Sequence, residues 1–112
     1  MKCTFMNWAC RTQYNRYAGT HNVAISLVAD GDSCDTFDGE PIATATVNIT
    51  RLPDGAVAIK DWSENMGMAE ALAEAGIIDP EPVGHLASGY ALAPIHHLTD
   101  KAKAEMRFLG WM

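Results

Sequence analysis

The chain predicts an α+β domain: an antiparallel sheet of four to five strands with one helix packed on it and a second helix near the C-terminus. Three observations predict this class. Residues 22–29 and 42–50 alternate with the period of two that a half-buried strand requires. Leu52-Pro53-Asp54-Gly55 follows as a tight turn, because proline fixes φ and glycine accepts positive φ. Residues 65–75, and again the segment from Thr99, change to helical spacing.

Each element can be justified in order. A short strand at 12–17 is the fifth and weakest. In 22–29, Val23, Ile25, Leu27 and Ala29 share one face. In 42–51, Ala43, Ala45, Val47 and Ile49 point one way, and the threonines opposite suit a half-exposed pleat. Residues 56–62 return as the third strand, so 42–62 reads as a hairpin. Ser63 or Asn65 caps a helix over 65–75, which turns Met68, Leu72 and Ala75 to the sheet and ends at Gly76. Asp79-Pro80-Glu81-Pro82 forbids its continuation. Residues 86–98 form the last strand, with Pro94 on an edge or at a bulge because it lacks an N–H. The final helix carries Ala102, Met106 and Leu109 at i, i+4 and i+7, with cations in its later part. The expected core is Val23, Ile25, Leu27, Val47, Ile49, Val57, Ile59, Met68, Leu72, Tyr90 and Leu92. A length of 112 residues fits one domain, with 12–98 as sheet-plus-helix core and 99–112 as a helical extension.

Composition narrows the functional classes. Apolar residues make up 48%, which suits a packed core rather than disorder. No apolar run reaches the ~20 residues needed to cross a bilayer, and the N-terminal stretch is too polar for a signal peptide, so a cytoplasmic protein with no membrane partner is expected. Net charge is −6 and unevenly spread. Residues 1–19 hold Lys2, Arg11 and Arg16 and no acid, while 20–50 hold Asp30, Asp32, Asp35, Asp38 and Glu40 and no Lys or Arg. That footprint is poor for direct nucleic-acid binding, which needs clustered Lys and Arg, and it suits approach to a basic protein surface. Cys3, Cys10 and Cys34 are odd in number, which argues against a disulfide framework. Cys3 and Cys10 stand seven apart, outside the two-to-four spacing of a zinc knuckle. Three reduced thiols, partly in the core, are expected, with no cofactor.

The candidate sites each have a plain structural explanation beside the functional one. The stretch ADGDSCDTFDGEP (29–41) has the look of a calcium loop, but counted from Asp30 it places Cys34, Asp35 and Pro41 where an EF-hand needs a ligand, a glycine and a bidentate glutamate. It is either a solvated hairpin loop or an acidic contact surface. Glu70 and Glu74, one turn apart, read as a solvated helix face that can extend such a surface. His96 and His97 alternate to opposite faces of a strand and cannot readily share one metal. Cys34, His96 and Asp100 supply the residue types for nucleophilic catalysis without a diagnostic spacing. In the tail, Phe108 and Trp111 want cover, either from the chain's own sheet or from a partner.

The ordered set GEPIATATVNI (39–49), LPDGAVAIKDWSEN (52–65), a short helix, Gly76 and SGYALAPIHHL (88–98) resembles a family of small domain-of-unknown-function proteins found on bacterial plasmids, conjugative elements and prophages. The match covers roughly residues 20–98. Where the family has aromatics around its proline, this chain has Ala93 and His96, so His96 resembles a planar substitute on the sheet face. The family's Asp-x-Asn is here Asp61-Trp62-Ser63-Glu64-Asn65, and 99–112 extends past the usual end. The resemblance implies a mobile-element context and brings no catalytic residues. It implies a non-enzymatic binding protein that inhibits a host nucleic-acid-targeting defence complex, in the manner of anti-CRISPR or antirestriction proteins. Its partner would be a basic protein surface, met by Asp30, Asp32, Asp35, Asp38 and Glu40 with Glu70 and Glu74. The alternatives are a small metal- or cysteine-dependent hydrolase using His96, His97 and Cys34, and a structural homodimer closed through Phe108 and Trp111.

Overall fold

Two antiparallel sheets and two helices make up the fold in the computed structural model, which describes residues 1–111. The first sheet is a meander of β1 (Lys2–Phe5), β2 (Trp8–Arg16), β3 (Val23–Ala29) and β4 (Pro41–Thr44). The second places β7 (Ala91–His97) between β5 (Ala56–Ala58) and β6 (Gly84–Ser88). Helix α1 is Met68–Glu74 and α2 is Asp100–Phe108. The α+β class is therefore as the sequence predicts, with the single expected sheet divided in two.

The division has a local cause. The expected strand 42–51 pairs with β3 only as far as Thr44, then crosses to the second sheet. The Ala45 N–H donates to the Ile25 carbonyl, while the Val47 N–H donates to Ala58 and the Lys60 N–H to Ala45. Thr46 and Ile59 are the one bridging pair of the expected hairpin. The buried Thr46 hydroxyl accepts from the Ile25 N–H at 3.1 Å, taking over a ladder bond. Buried Asn22 then holds the next residues through its amide, donating to the Thr50 carbonyl and accepting from the Leu52 N–H. Because the segment changes sheets, Ala45 enters the main core, whereas Val47 and Ile49 are half-buried against Ala56, Ala58, Ala93 and Ile95.

The expected 12–17 strand is the second half of β2, and the hairpin extends the pairing back to Lys2. Met6 and Asn7 both take positive φ (48° and 68°), as a type I′ two-residue turn requires, and this pairs Phe5 with Trp8, Cys3 with Cys10 and Lys2 with Arg11. The inward residues of β2 are Cys10, Thr12 and Tyr14, whose mixed polarity hides the alternation.

Residues 86–98 are likewise a hairpin rather than one strand. Gly89 takes φ 62° in a two-residue turn between Ser88 and Ala91. That turn resets the parity: Leu86 pairs with Ala93 and shares its face, not that of His96. Tyr90 and Leu92, expected in the core, are 112% and 65% exposed because they sit at the hairpin tip and on its outer face. Pro94 is on the central strand, not an edge. It is tolerated because it lies opposite Ile59, one residue past the last β5–β7 pair, so its missing N–H falls where that ladder has ended; its carbonyl still accepts from the Ile59 N–H.

Helix α1 starts later than expected. Ser63–Asn65 form a separate 3-10 turn, and Gly67 at φ 92° breaks the path into α1. Neither expected cap acts: Asp61 accepts from the Ala69 N–H, while buried Asn65 donates to the Thr44 carbonyl at 2.7 Å. Gly76 ends the helix as expected, with Ile77 N–H donating to Leu72 and Gly76 N–H to Ala73. Thr99 caps α2 by accepting from the Ala102 N–H at 3.1 Å. Ala102 and Met106 face the main core, which also holds Ile25, Leu27, Ile59, Met68, Leu72, Ile77 and Leu98; Leu109, read at the same helical spacing, lies just past the end of the helix and is exposed.

Candidate functional site

The acidic stretch is the β3–β4 connection, and strand pairing brings it to the cationic N-terminal segment. Arg11 on β2 lies opposite Val28, close to the end of β3. Its guanidinium donates to the Ala29 carbonyl at 3.0 Å, to Asp38 at 2.5 Å and to Asp30 at 3.5 Å. Lys2 pairs with Asp30 at 3.1 Å. Asp38 also accepts from the Gly31 N–H, and Asp32 accepts from the Asp38 N–H. The Arg11 hydrogen bond, followed by that of Gly31, holds the Asp38 carboxyl below its usual range. Three of the five predicted carboxylates, Asp30, Asp32 and Asp38, therefore fold the loop. Asp35 and Glu40 are exposed, with no ion pair among the described residues.

Glu70 and Glu74 project from the exposed side of α1. Glu74 helps line a cavity of about 410 Å³ with Lys2, Cys3, Cys10 and Asp30. Together with Glu70 it also lines a cleft of about 450 Å³ that reaches Pro80 and His96. Asp30 is shared in turn with a smaller hollow holding Asp32, Cys34 and Asp35. Shared walls thus make one continuous face from His96 across α1 to the acidic loop. Asp30, Asp32, Asp35, Glu70 and Glu74 converge on it, while Asp38 and Glu40 line none of these hollows.

The histidines part company as alternation requires. His96 is buried, and its Nδ1 lies 2.8 Å from the Asp79 carbonyl. A carbonyl only accepts, so Nδ1 carries a proton and donates it to Asp79. His96 lies on the face of β7 that lines the cleft beside α1, and it is hydrogen-bonded there. His97 is exposed beside Asp79, Asp100 and Lys103. Cys34, His96 and Asp100 line three different hollows and form no triad. Among the described residues, no group of three or more His, Cys, Asp and Glu is placed to hold a metal ion.

The tail is only half docked. Phe108 is 89% exposed, and Trp111 is 37% exposed with its carbonyl accepting from Arg16 at 2.8 Å. Two arrangements escape sequence reasoning. Glu105 receives Tyr14 Oη–H at 2.5 Å and the Met1 ammonium at 2.6 Å, with Thr12 beside them. Cys3 and Cys10 face each other across the first hairpin; their symmetric placement about Met6-Asn7 is the signal that could have found them. No helix is long and apolar enough to cross a membrane among the described residues.

Fold and site together define an α+β protein with a carboxylate-rimmed face of adjoining shallow hollows. Comparison with models of known families, with curated proteins and with solved structures finds no match.

Proposed function

We propose that this is a non-enzymatic binding protein of a mobile genetic element, which uses the acidic face to engage a basic surface of a host nucleic-acid-targeting defence complex. The observation that carries the reading is the convergence of Asp30, Asp32, Asp35, Glu70 and Glu74 on adjoining hollows from two distant parts of the chain. The likeness of 39–49, 52–65 and 88–98 to small plasmid and prophage proteins supplies the context. A face rimmed by carboxylates presents to a cationic groove the charge that a phosphate backbone would present.

The test spares the loop-folding pairs. Asp35→Asn, Glu40→Gln, Glu70→Gln and Glu74→Gln are combined, leaving Asp30, Asp32 and Asp38 in place. Tagged wild-type protein is expected to retain a nucleic-acid-binding defence complex from host lysate at low salt and to lose it as salt rises, because screening weakens exposed charge pairs. The combined variant should retain little at any salt. Equal capture by both would overturn the acidic-face reading.

Phe108 favours a second reading, a homodimer closed through the tail, because it is 89% exposed next to exposed Leu109 and Trp111, and a run of exposed apolar side chains marks an interaction surface. A solution mass that is monomeric and unchanged by Phe108→Ser would remove it.

A further inference from the structure

We propose that the paired thiols of Cys3 and Cys10 form a binding site for one soft, low-coordinate metal ion, copper(I) in particular, held between their sulfurs. The inference does not rest on the binding function argued above. The two cysteines are direct partners across β1 and β2, so their side chains share one face, and both line the cavity of about 410 Å³ beside α1. Both are buried and unoxidised. Each sulfur has only a long contact to a backbone carbonyl, 3.6 Å to Ala71 for Cys3 and 3.4 Å to Trp8 for Cys10.

The strand register decides between a disulfide and a metal. The Thr12 N–H donates to the Met1 carbonyl at 2.8 Å, so Met1–Thr12 is a hydrogen-bonded position, and alternation makes Cys3–Cys10 another. Such pairs stand at the wide end of the range, with Cβ atoms about 5.5 Å apart. A disulfide wants Cβ atoms roughly 3.5–4.5 Å apart and sulfurs at about 2.05 Å. A metal ion with bonds of about 2.3 Å to each thiolate sets the sulfurs as far as ~4.6 Å apart, which the wider register accommodates. Asp30 is already engaged by Lys2 and Arg11, and Glu74, the cavity's other carboxylate, is a hard oxygen donor, so the two sulfurs are the soft donors the cavity offers. Soft thiolates select copper(I), which is content with two ligands. Binding exchanges two thiol protons for one cation and leaves a single negative charge, beside which Lys2 stands at the cavity wall. Burial, then Cys10 and Glu74, push the Cys3 thiol up to about 11, and burial raises Cys10 as well. Both thiols are therefore protonated at neutral pH, and affinity should rise about a hundredfold per pH unit as two protons leave.

The test is an anaerobic titration of the reduced full chain with copper(I) against a chromogenic copper(I) chelator. One equivalent is expected to bind with the two-proton pH dependence. In the wild-type protein, copper(I) should shield Cys3 and Cys10 from alkylation while Cys34 is modified, as read by peptide mass. Cys3→Ser and Cys10→Ser should each abolish uptake, and Cys34→Ser should leave it intact. Undiminished alkylation of Cys3 and Cys10 in metal-treated wild type would overturn the proposal even if the serine variants fail to fold. So would uptake that is lost with Cys34 alone, or a Cys3–Cys10 disulfide in air-purified protein, which would contradict the spacing.

Discussion

Truncating Met106 and Phe108, two residues apart on α2, should give very different results. Met106 has no exposed surface and packs in the main core. Met106→Ala removes a fully buried side chain and leaves a cavity, at a cost of about 2–5 kcal/mol. Against a domain stability of about 5–15 kcal/mol, that is a large fraction of the whole. For a chain of this length it corresponds to a fall in Tm of roughly 10–20 °C. Phe108, by contrast, is 89% exposed. If burial of a whole phenyl group contributes about 2–3 kcal/mol, the tenth covered here contributes roughly 0.3 kcal/mol. Urea unfolding at low protein concentration reads both variants. Met106→Ala should lower the midpoint strongly with an unchanged slope, and Phe108→Ser should barely move it. If Phe108→Ser costs as much as Met106→Ala at every protein concentration, the face assigned to α2 is wrong and the docking argument fails. A Phe108 effect that grows with concentration would instead mark the ring as covered by a second copy.

Two further outcomes follow from the N-terminal hairpin and its contact with α2. Met6 and Asn7 hold positive φ without glycine, so replacing Met6-Asn7 by Asn-Gly should stabilise by about 0.4–1 kcal/mol, read as a rise in Tm. Burial raises the Glu105 carboxyl, but hydrogen bonds from the Met1 ammonium and Tyr14 outweigh it and hold the group below its ordinary 4.5. A depressed acid contributes stability that is complete above 4.5 and is lost as pH falls through the lower folded value. Wild-type urea midpoints should therefore drop more steeply below about pH 4.5 than those of Glu105→Gln, which starts lower at neutral pH.

The sequence discloses those elements whose burial is one-sided and apolar. Val23, Ile25 and Leu27 announce β3, and Gly76 marks the end of α1 because only its terminal conformation suits a residue without Cβ. What stays hidden has identifiable causes. β2 turns Thr12 and Tyr14 inward to meet Glu105, so its core face looks polar. Tyr90 and Leu92 look like core residues because apolar character alone does not reveal the turn at Gly89, and one turn inverts the parity of everything before it. Pro94 looks like an edge residue because the stop of β5 opposite it is a property of the neighbouring strand.

The charge pattern shows the same dependence on pairing, and it bears on the partner. Read linearly, residues 1–19 are cationic and the following segment is acidic, which suggests one strongly negative loop. Strands β1 to β3 fold the first segment onto the end of the second, so Lys2 and Arg11 engage Asp30 and Asp38. The negative charge left to an outside partner is thereby moved along the face, toward Asp35 on the loop and Glu70 and Glu74 on α1. A cationic partner should consequently be more sensitive to Glu70→Gln with Glu74→Gln than to Asp38→Asn, whose main effect is on the loop. Measuring the salt dependence of capture for those two variants separates contact from scaffolding: the helix pair should flatten it, and Asp38→Asn should leave its slope near that of the wild type.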